Sequence, residues 1–160
     1  VVTPGTVLPY GRIARLCGVP DSRLGKVVDR YPDRGRGYAL HDTNSSGTTP
    51  RTFYLTGFDD GCARQFTAAL ALFGTPETHE QIRYGAPSKT QPYSRTDEAY
   101  ETVKARVCRV GKGQPCGARM DRLAEDTVFL SIYERFGSNP RWKNLLLHDG
   151  AVMALDIKTK

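Results

Sequence analysis

Four widely spaced cysteines constrain what this chain can fold into more than any other feature of its sequence. No two of them are as close as the roughly two to four residues that usually separate paired zinc ligands. We therefore expect disulfides rather than a metal site and, of the three possible pairings, favour Cys17–Cys62 with Cys108–Cys116. The second pair is favoured because residues 109–115 are rich in glycine and other turn-forming residues, which let the chain fold back on itself.

The cysteine content also predicts a compartment. Disulfides form and persist mainly in oxidising environments such as the periplasm and the extracellular space. The sequence starts at Val1, without a charged and then apolar leader, which fits a mature protein whose signal peptide has been removed. We therefore expect a periplasmic or secreted protein. The alternative is a cytosolic protein in which four reduced thiols are buried.

The length and composition are typical of a globular protein. The 160 residues fit one domain, since domains most often contain about 100–150 residues. The 39% of hydrophobic residues is too high for a disordered chain, yet no stretch approaches the roughly 18 consecutive apolar residues of a membrane span. We expect a single domain over residues 1–160 that does not span a membrane. Residues 1–11, with two prolines and two glycines, are expected to form an extended N-terminal arm.

A hairpin is the clearest unit of the N-terminal half. Alternating β-forming residues predict strands at 38–43 and 51–58, joined by a long polar loop. The segments before the hairpin are ambiguous. Residues 12–17 fit either a short strand or one helical turn, and residues 21–28 contain both a helix cap and strand-forming valines.

Capping residues predict three helices in the middle of the chain. Asp59-Asp60, Thr75-Pro76 and Ser94 each offer an N-cap, and apolar residues recur at helical spacing after the first and the third of them. The apolar run at residues 68–73 is read as the buried part of the first helix. The helices are predicted at residues 59–73, 75–84 and 94–110, with a further helical turn at 119–125.

The C-terminal part is read as three strands, at residues 127–136, 142–147 and 151–157. Asp149-Gly150 joins the last two, and Asp-Gly between alternating segments is a strong signal for a type I′ turn. The order of elements predicts an α+β fold. In it, one antiparallel sheet, built from the N-terminal hairpin and the three-stranded C-terminal meander, packs against two or three helices and is stabilised by the disulfides.

The positive charge of the chain is concentrated in its second half. The net charge is +6; residues 81–160 carry fourteen Lys or Arg against nine Asp or Glu, whereas residues 1–80 carry nine against eight. Such an excess indicates contact with an anionic partner. Arginine is more abundant than lysine, which suits carboxylate and phosphate binding but also follows from GC-rich coding.

A basic patch surrounds the predicted short disulfide loop. Asp121 is the one acidic residue among its six cations, and the disulfide would reduce the entropy lost on binding. We interpret the patch as a contact for an anionic protein or envelope polymer; alternatively, its cations complement a helix C-terminus and solvate the surface. Aromatic residues are not interleaved with these cations, which argues against nucleic-acid recognition. The candidate binding residues are Lys104, Arg106, Arg109, Lys112, Arg119 and Arg122.

No motif in the sequence predicts catalysis or a cofactor. His79-Glu80 lacks the second histidine of a zinc-protease helix, and no Gly-x-Ser-x-Gly motif is present. Because adjacent strand residues point to opposite faces, neither His41-Asp42 nor His148-Asp149 is a ready imidazole–carboxylate pair. We expect no metal and no cofactor. The sequence thus favours an exported, non-catalytic binding or structural accessory protein; the alternative is a small envelope hydrolase that uses His41 or His148 with a nearby carboxylate.

Overall fold

The computed structural model describes residues 1–34 and 37–159. Over these residues the chain forms nine strands, three α-helices and two short 3-10 segments. The strands are β1 (Ala14–Leu16), β2 (Lys26–Tyr31), β3 (Tyr38–Asp42), β4 (Arg51–Thr56), β5 (Ala63–Ala68), β6 (Leu70–Gly74), β7 (Thr127–Tyr133), β8 (Arg141–His148) and β9 (Ala151–Thr159). The helices are α1 (Pro76–Tyr84), α2 (Arg95–Cys108) and α3 (Met120–Ala124), and the 3-10 segments are Asp21–Arg23 and Gly117–Arg119.

The strands form two antiparallel sheets rather than the single sheet expected from the sequence. One sheet has five strands in the order β1-β5-β4-β3-β2, and the other has four in the order β6-β7-β8-β9. The predicted hairpin lies in the first sheet and the predicted meander in the second. The α+β class and the antiparallel pairing are therefore confirmed, whereas placing all the strands in one sheet was wrong.

The predicted helix at residues 59–73 is also wrong, because this segment forms β5 and β6. The chain leaves the five-stranded sheet after Ala68 and enters the four-stranded sheet at Leu70. Ala69, at the crossing, is fully buried, and its N–H donates to the carbonyl of Tyr133. Before the crossing β5 pairs with β4 and β1, and after it β6 pairs with β7. These strand pairs determine the structure of the segment, although its apolar residues recur at helical spacing.

The main hydrophobic core lies between the two sheets. Phe53 and Phe66 stack there with ring centroids 5.5 Å apart. Its buried side chains include Tyr38, Leu40, Phe53, Leu55 and Phe66 from one sheet and Val128, Leu130, Ile132, Leu145 and Leu147 from the other. Because strand side chains alternate, the intervening residues of β7 and β8 face the helices.

The helices cover the opposite face of the four-stranded sheet. Tyr100 and Val103 of α2 and Leu123 of α3 pack with Phe129 and Leu146 in a second cluster. Helices α1 and α2 begin as predicted: the Thr75 hydroxyl accepts from the N–H of Thr78, and Ser94 and Asp97 form a capping box. No helix in the described part of the chain is long and apolar enough to cross a membrane.

Both predicted disulfides are present. Cys17–Cys62 closes a loop of 45 residues and Cys108–Cys116 a loop of 8. In the chain-entropy model these loops stabilise the fold by about 4 and about 2.5 kcal/mol respectively. The predicted type I′ turn is also found, since Asp149 and Gly150 have φ values of 48° and 75°.

The N-terminal arm is held across the edge of the sandwich. Val2 forms a bridge with Leu16, and the side chains of Gln65 and Thr67 donate to the carbonyls of Thr6 and Leu8. The arm thus runs from the five-stranded sheet towards the end of β7 and the beginning of β8.

Candidate anion-binding cleft

Lys104 does not belong to an exposed basic patch, contrary to the sequence prediction. Its side chain is fully buried, and its ammonium donates to Glu101 Oε1 at 2.8 Å and to the Tyr84 hydroxyl at 2.6 Å. It also donates to the carbonyls of Gly111 and Gln114, at 3.1 and 2.6 Å. Lys104 thus holds the loop that the Cys108–Cys116 disulfide closes.

The other predicted cations are exposed, but two of them already have partners. Lys112 forms an ion pair with Glu98 at 2.8 Å and lies 4.6 Å from the centre of the Tyr93 ring. Arg119 donates to the carbonyl of Val107. In the described parts of the chain, no side-chain hydrogen bond or ion pair involves the remaining three, Arg106, Arg109 and Arg122.

The two histidines of the hydrolase hypothesis lie in different environments. His41 is buried and its Nε2 lies 3.2 Å from the Thr56 hydroxyl. His148 Nδ1 lies 2.8 Å from the Thr127 hydroxyl and 3.4 Å from Asp126 Oδ1. Because that hydroxyl donates to Asp126, it accepts from His148, which places the imidazole proton on Nδ1. His148 therefore has the carboxylate that this hypothesis requires.

His79, which the sequence analysis set aside as a metal ligand, packs against two aromatic rings. It stacks on Phe129 at 4.4 Å and contacts the edge of Tyr100 at 4.5 Å. Desolvation by burial lowers the pKa of His79 from 6.5 to about 4, although the nearby charge of Asp97 acts in the opposite direction. Its imidazole is therefore neutral at physiological pH and acts as part of the core.

A concave site with a strongly basic lining lies where the N-terminal arm meets β7 and β8. The cleft has a volume of about 570 Å³, within the range of about 300–1,000 Å³ that is common for ligand sites. Its lining residues come from the arm, the turn between β7 and β8, the start of β8 and the end of β9. They are Tyr10, Gly11, Arg12, Glu134, Arg135, Asn139, Pro140, Arg141, Trp142, Lys143 and Ile157.

Tyr10 fixes the arm at the point where the two strands separate. Its hydroxyl donates to the carbonyl of Ile132 at 2.6 Å and accepts from the N–H of Lys143 at 3.1 Å. Ile132 and Lys143 form the last cross-strand pair of β7 and β8. The Tyr10 hydroxyl therefore bridges the two strands at the point where their pairing ends, at the rim of the cleft. Desolvation by burial raises the pKa of Tyr10, and the hydroxyl therefore stays protonated and able to make both bonds.

Asn139 gives the turn between β7 and β8 a defined shape. Its side chain is buried; Oδ1 accepts from the N–H of Arg135, and Nδ2 donates to the carbonyls of Arg135 and Gly137. Gly137 has a φ of 112°, a conformation that L side chains rarely adopt. The backbone that carries Arg135 is therefore ordered before any ligand arrives.

The side chains of Arg12, Arg135, Arg141 and Lys143 converge on this cleft. In residues 1–34 and 37–159, none of these four side chains forms a hydrogen bond or an ion pair, although the backbone groups of Arg135 and Lys143 bond to Asn139 and Tyr10. Among the described residues of the lining, Glu134 is the one that carries a carboxylate. Four like charges around one concavity repel one another, and low-dielectric walls strengthen the resulting field. Binding an anion would lower this electrostatic free energy.

Two arginines elsewhere in the protein, in contrast, form ion pairs with acidic side chains. Arg51 pairs with Asp42 at 2.7 Å and also donates to the carbonyl of Ala69. Arg64 pairs with Asp60 at 2.8 Å. These cations stabilise the fold, whereas the cations of the cleft do not have such a role within the described residues.

A second cleft, of about 460 Å³, is lined by residues of mixed charge. Asp29, Asp33, Asp121 and Glu125 lie around it together with Arg30. The described residues contain no group of three or more His, Cys, Asp or Glu side chains that could hold a metal ion. We therefore do not assign a ligand to this cleft.

The sequence contained part of the signal for the basic cleft. Arg135, Arg141 and Lys143 lie on either side of the break between the strands predicted at residues 127–136 and 142–147. Their convergence with Tyr10 and Arg12 was not accessible, because the Tyr10–Ile132 contact joins residues 122 positions apart.

No protein-family model matches the sequence, and neither a curated protein nor a solved structure shows significant similarity to it. We therefore infer the function from the chemistry of the cleft.

Proposed function

We propose that this chain is an exported, non-catalytic binding protein that holds an anionic partner in the cleft formed by Tyr10, Arg12 and the β7–β8 turn. The observation that carries the proposal is the convergence on one concavity of four cations that form no ion pair within residues 1–34 and 37–159. Arginine and lysine side chains that lack protein partners are available for charge-assisted hydrogen bonds, which are stronger than neutral ones.

The composition of the lining supports binding rather than hydrolysis at this cleft. General acid–base hydrolysis usually requires a histidine or a pair of carboxylates at the reacting bond. Among the described residues, the lining contains one carboxylate, Glu134, and its remaining polar side chains are cationic, amide, phenolic or indole groups. The alternative hydrolase would have to use His148 with Asp126, and neither residue belongs to this lining.

The disulfides support export of the protein. Two disulfides account for all four cysteines, and such bonds persist in oxidising compartments. An envelope or extracellular location would expose the cleft to anionic polymers and to acidic protein surfaces, the two kinds of partner that the basic composition predicts.

The exposed part of the patch around the Cys108–Cys116 loop is the alternative surface for an anionic partner. Arg106, Arg109 and Arg122 extend from a surface that the disulfide and Lys104 keep in place. The patch contributes fewer unpartnered cations than the cleft, and it therefore serves as the matched comparison.

Calorimetric titration with polygalacturonate and with polyphosphate tests the proposal. Arg135→Glu/Arg141→Glu and the control Arg106→Glu/Arg109→Glu change the net charge equally but at different surfaces. We expect the cleft variant to lose at least about tenfold in affinity for any anion that binds, because two charge-assisted contacts are reversed. The control should change affinity by less than about threefold, since long-range attraction between exposed charges is screened by salt. Loss of binding only in the control, or no binding by the wild-type protein, would contradict the proposal.

A further inference from the structure

We infer that the ligand of the cleft is an acidic polysaccharide, that is, a polymer of hydroxyl-rich sugars that carry carboxylates. This inference rests on the proposed function and specifies the chemistry of the partner. The cleft offers three kinds of group together: cations, a carboxylate that can accept hydrogen bonds, and apolar surface. A ligand that satisfies all three must be anionic, must donate hydrogen bonds and must present carbon–hydrogen faces.

The cations favour planar oxyanions. Three of the four are arginines, whose guanidinium groups match carboxylates by two parallel hydrogen bonds. They come from separate parts of the chain: Arg12 from the residue that follows the arm, Arg135 from the turn and Arg141 from the first position of β8. Cations distributed around the cleft suit charges repeated along a polymer.

A ligand that carries only negative charges would not explain why the carboxylate of Glu134 lies in the cleft. This carboxylate is exposed and, within the described residues, forms no ion pair with a cation of the cleft. It would repel the charged groups of any polyanion, and only a ligand that also carries hydrogen-bond donors would gain contacts from it. The Tyr10 hydroxyl and the Asn139 amide are already engaged with backbone groups, so Glu134 is the carboxylate acceptor that the lining offers to a ligand. Sugar hydroxyl groups are donors that a carboxylate binds strongly.

The apolar part of the lining suits sugar rings. Ile157 is 58% exposed, and Trp142 lies on β8 between Arg141 and Lys143. The carbon–hydrogen face of a sugar ring can pack against such surfaces through dispersion and burial. Single-stranded nucleic acid would instead require several aromatic rings for successive bases. Trp142 is half-buried and packs near Tyr133, with ring centroids 5.9 Å apart.

The substitution Glu134→Gln distinguishes a sugar polymer from other polyanions. It removes a negative charge from the cleft and leaves a side chain of nearly the same shape. If Glu134 accepts hydroxyl hydrogen bonds, the substitution should weaken binding of polygalacturonate by about fivefold. The same substitution should tighten binding of polyphosphate, because the carboxylate there acts only by repulsion.

The experiment is calorimetric titration of the wild-type protein and the Glu134→Gln variant at about 150 mM salt, where long-range attraction is screened. The probes are polygalacturonate, its carboxyl-reduced neutral form, polyphosphate and oligo-dT. We expect polygalacturonate to bind most tightly, the neutral polymer to bind at least about tenfold more weakly, and Glu134→Gln to act in opposite directions on polygalacturonate and polyphosphate.

Three outcomes would overturn the inference while leaving anion binding in place: tighter binding of polyphosphate or oligo-dT than of polygalacturonate, undiminished binding of the neutral polymer, or tightening of both anions by Glu134→Gln. Absence of binding to every anion would instead contradict the proposed function itself.

Discussion

Lys104 shows how a single buried charge can organise a loop. Its ammonium has four oxygen partners, from Glu101, Tyr84 and two loop carbonyls, and these satisfy a group that would otherwise be costly to bury. We predicted that this lysine belongs to an exposed basic patch, because five other cations lie close to it in sequence. Lys104 is buried because residues 109–115 fold back towards it. The spacing of apolar residues along the helix does not predict that fold.

We predict that Lys104→Met lowers the free energy of unfolding by about 3–5 kcal/mol, because it leaves the buried Glu101 carboxylate without its cation. Urea unfolding under oxidising conditions measures this loss. The double variant Lys104→Met/Glu101→Gln should recover part of it. A loss below about 1 kcal/mol for the single variant would show that the pair is not stabilising.

The neutral His79 predicts a dependence of stability on pH. Because burial lowers the pKa of His79 from 6.5 to about 4, folding favours the unprotonated imidazole. The unfolded state binds the extra proton as the pH falls through 6.5, so the contribution is complete above about pH 6.5 and is lost progressively towards pH 4. Asp97, Glu101, Arg83 and Lys158 also act on this imidazole.

We therefore expect the wild-type protein to lose up to about 3 kcal/mol between pH 7 and pH 4 because of this histidine. The variant His79→Gln should show a shallower decline in urea midpoint over that interval, even if it is less stable at pH 7. Parallel pH profiles for the two proteins would contradict a buried, neutral His79.

At the scale of elements, local signals predicted the helices and turns whose ends are determined by capping or backbone conformation. Ser94 and Thr75 begin helices, and Asp149-Gly150 forms its type I′ turn, because in each case neighbouring atoms supply the hydrogen bond or permit the φ angle. The segment 59–73 was different. Its alanines and leucines suit a helix, but the chain crosses there between two sheets. The local sequence does not show which distant strands will pair with this segment.

Ala69 provides a test of that crossing. A fully buried residue between two sheets has little room, so Ala69→Leu should overpack the core and destabilise the protein by about 1–3 kcal/mol. Leu72→Ala, at a side chain that is 48% exposed in β6, is the control and should cost less. Chemical unfolding measures both. Tolerance of Ala69→Leu would be inconsistent with the two-sheet arrangement.

At the scale of the whole molecule, the sandwich places a basic concavity at one end of β7 and β8 and helices on the outer face of the four-stranded sheet. The sequence predicted the α+β class, both disulfides and the tendency towards an anionic partner. It placed that partner at the disulfide loop, because six cations lie close together there in sequence. The cleft requires Arg12 to meet residues 134–143, a contact that only the folded chain creates.

Trp142 makes the central claim directly measurable, because it is the single tryptophan of the chain and lines the cleft. Its fluorescence can be followed while polygalacturonate is added to the wild-type protein, to Arg12→Ala/Arg141→Ala and to Arg106→Ala/Arg109→Ala. We predict a saturable change in Trp142 emission for the wild-type protein and for the loop variant, and a strongly weakened change for the cleft variant. Binding that is detected by calorimetry but leaves Trp142 emission unchanged in the wild-type protein, or that is lost only in the loop variant, would contradict an anion site in this cleft.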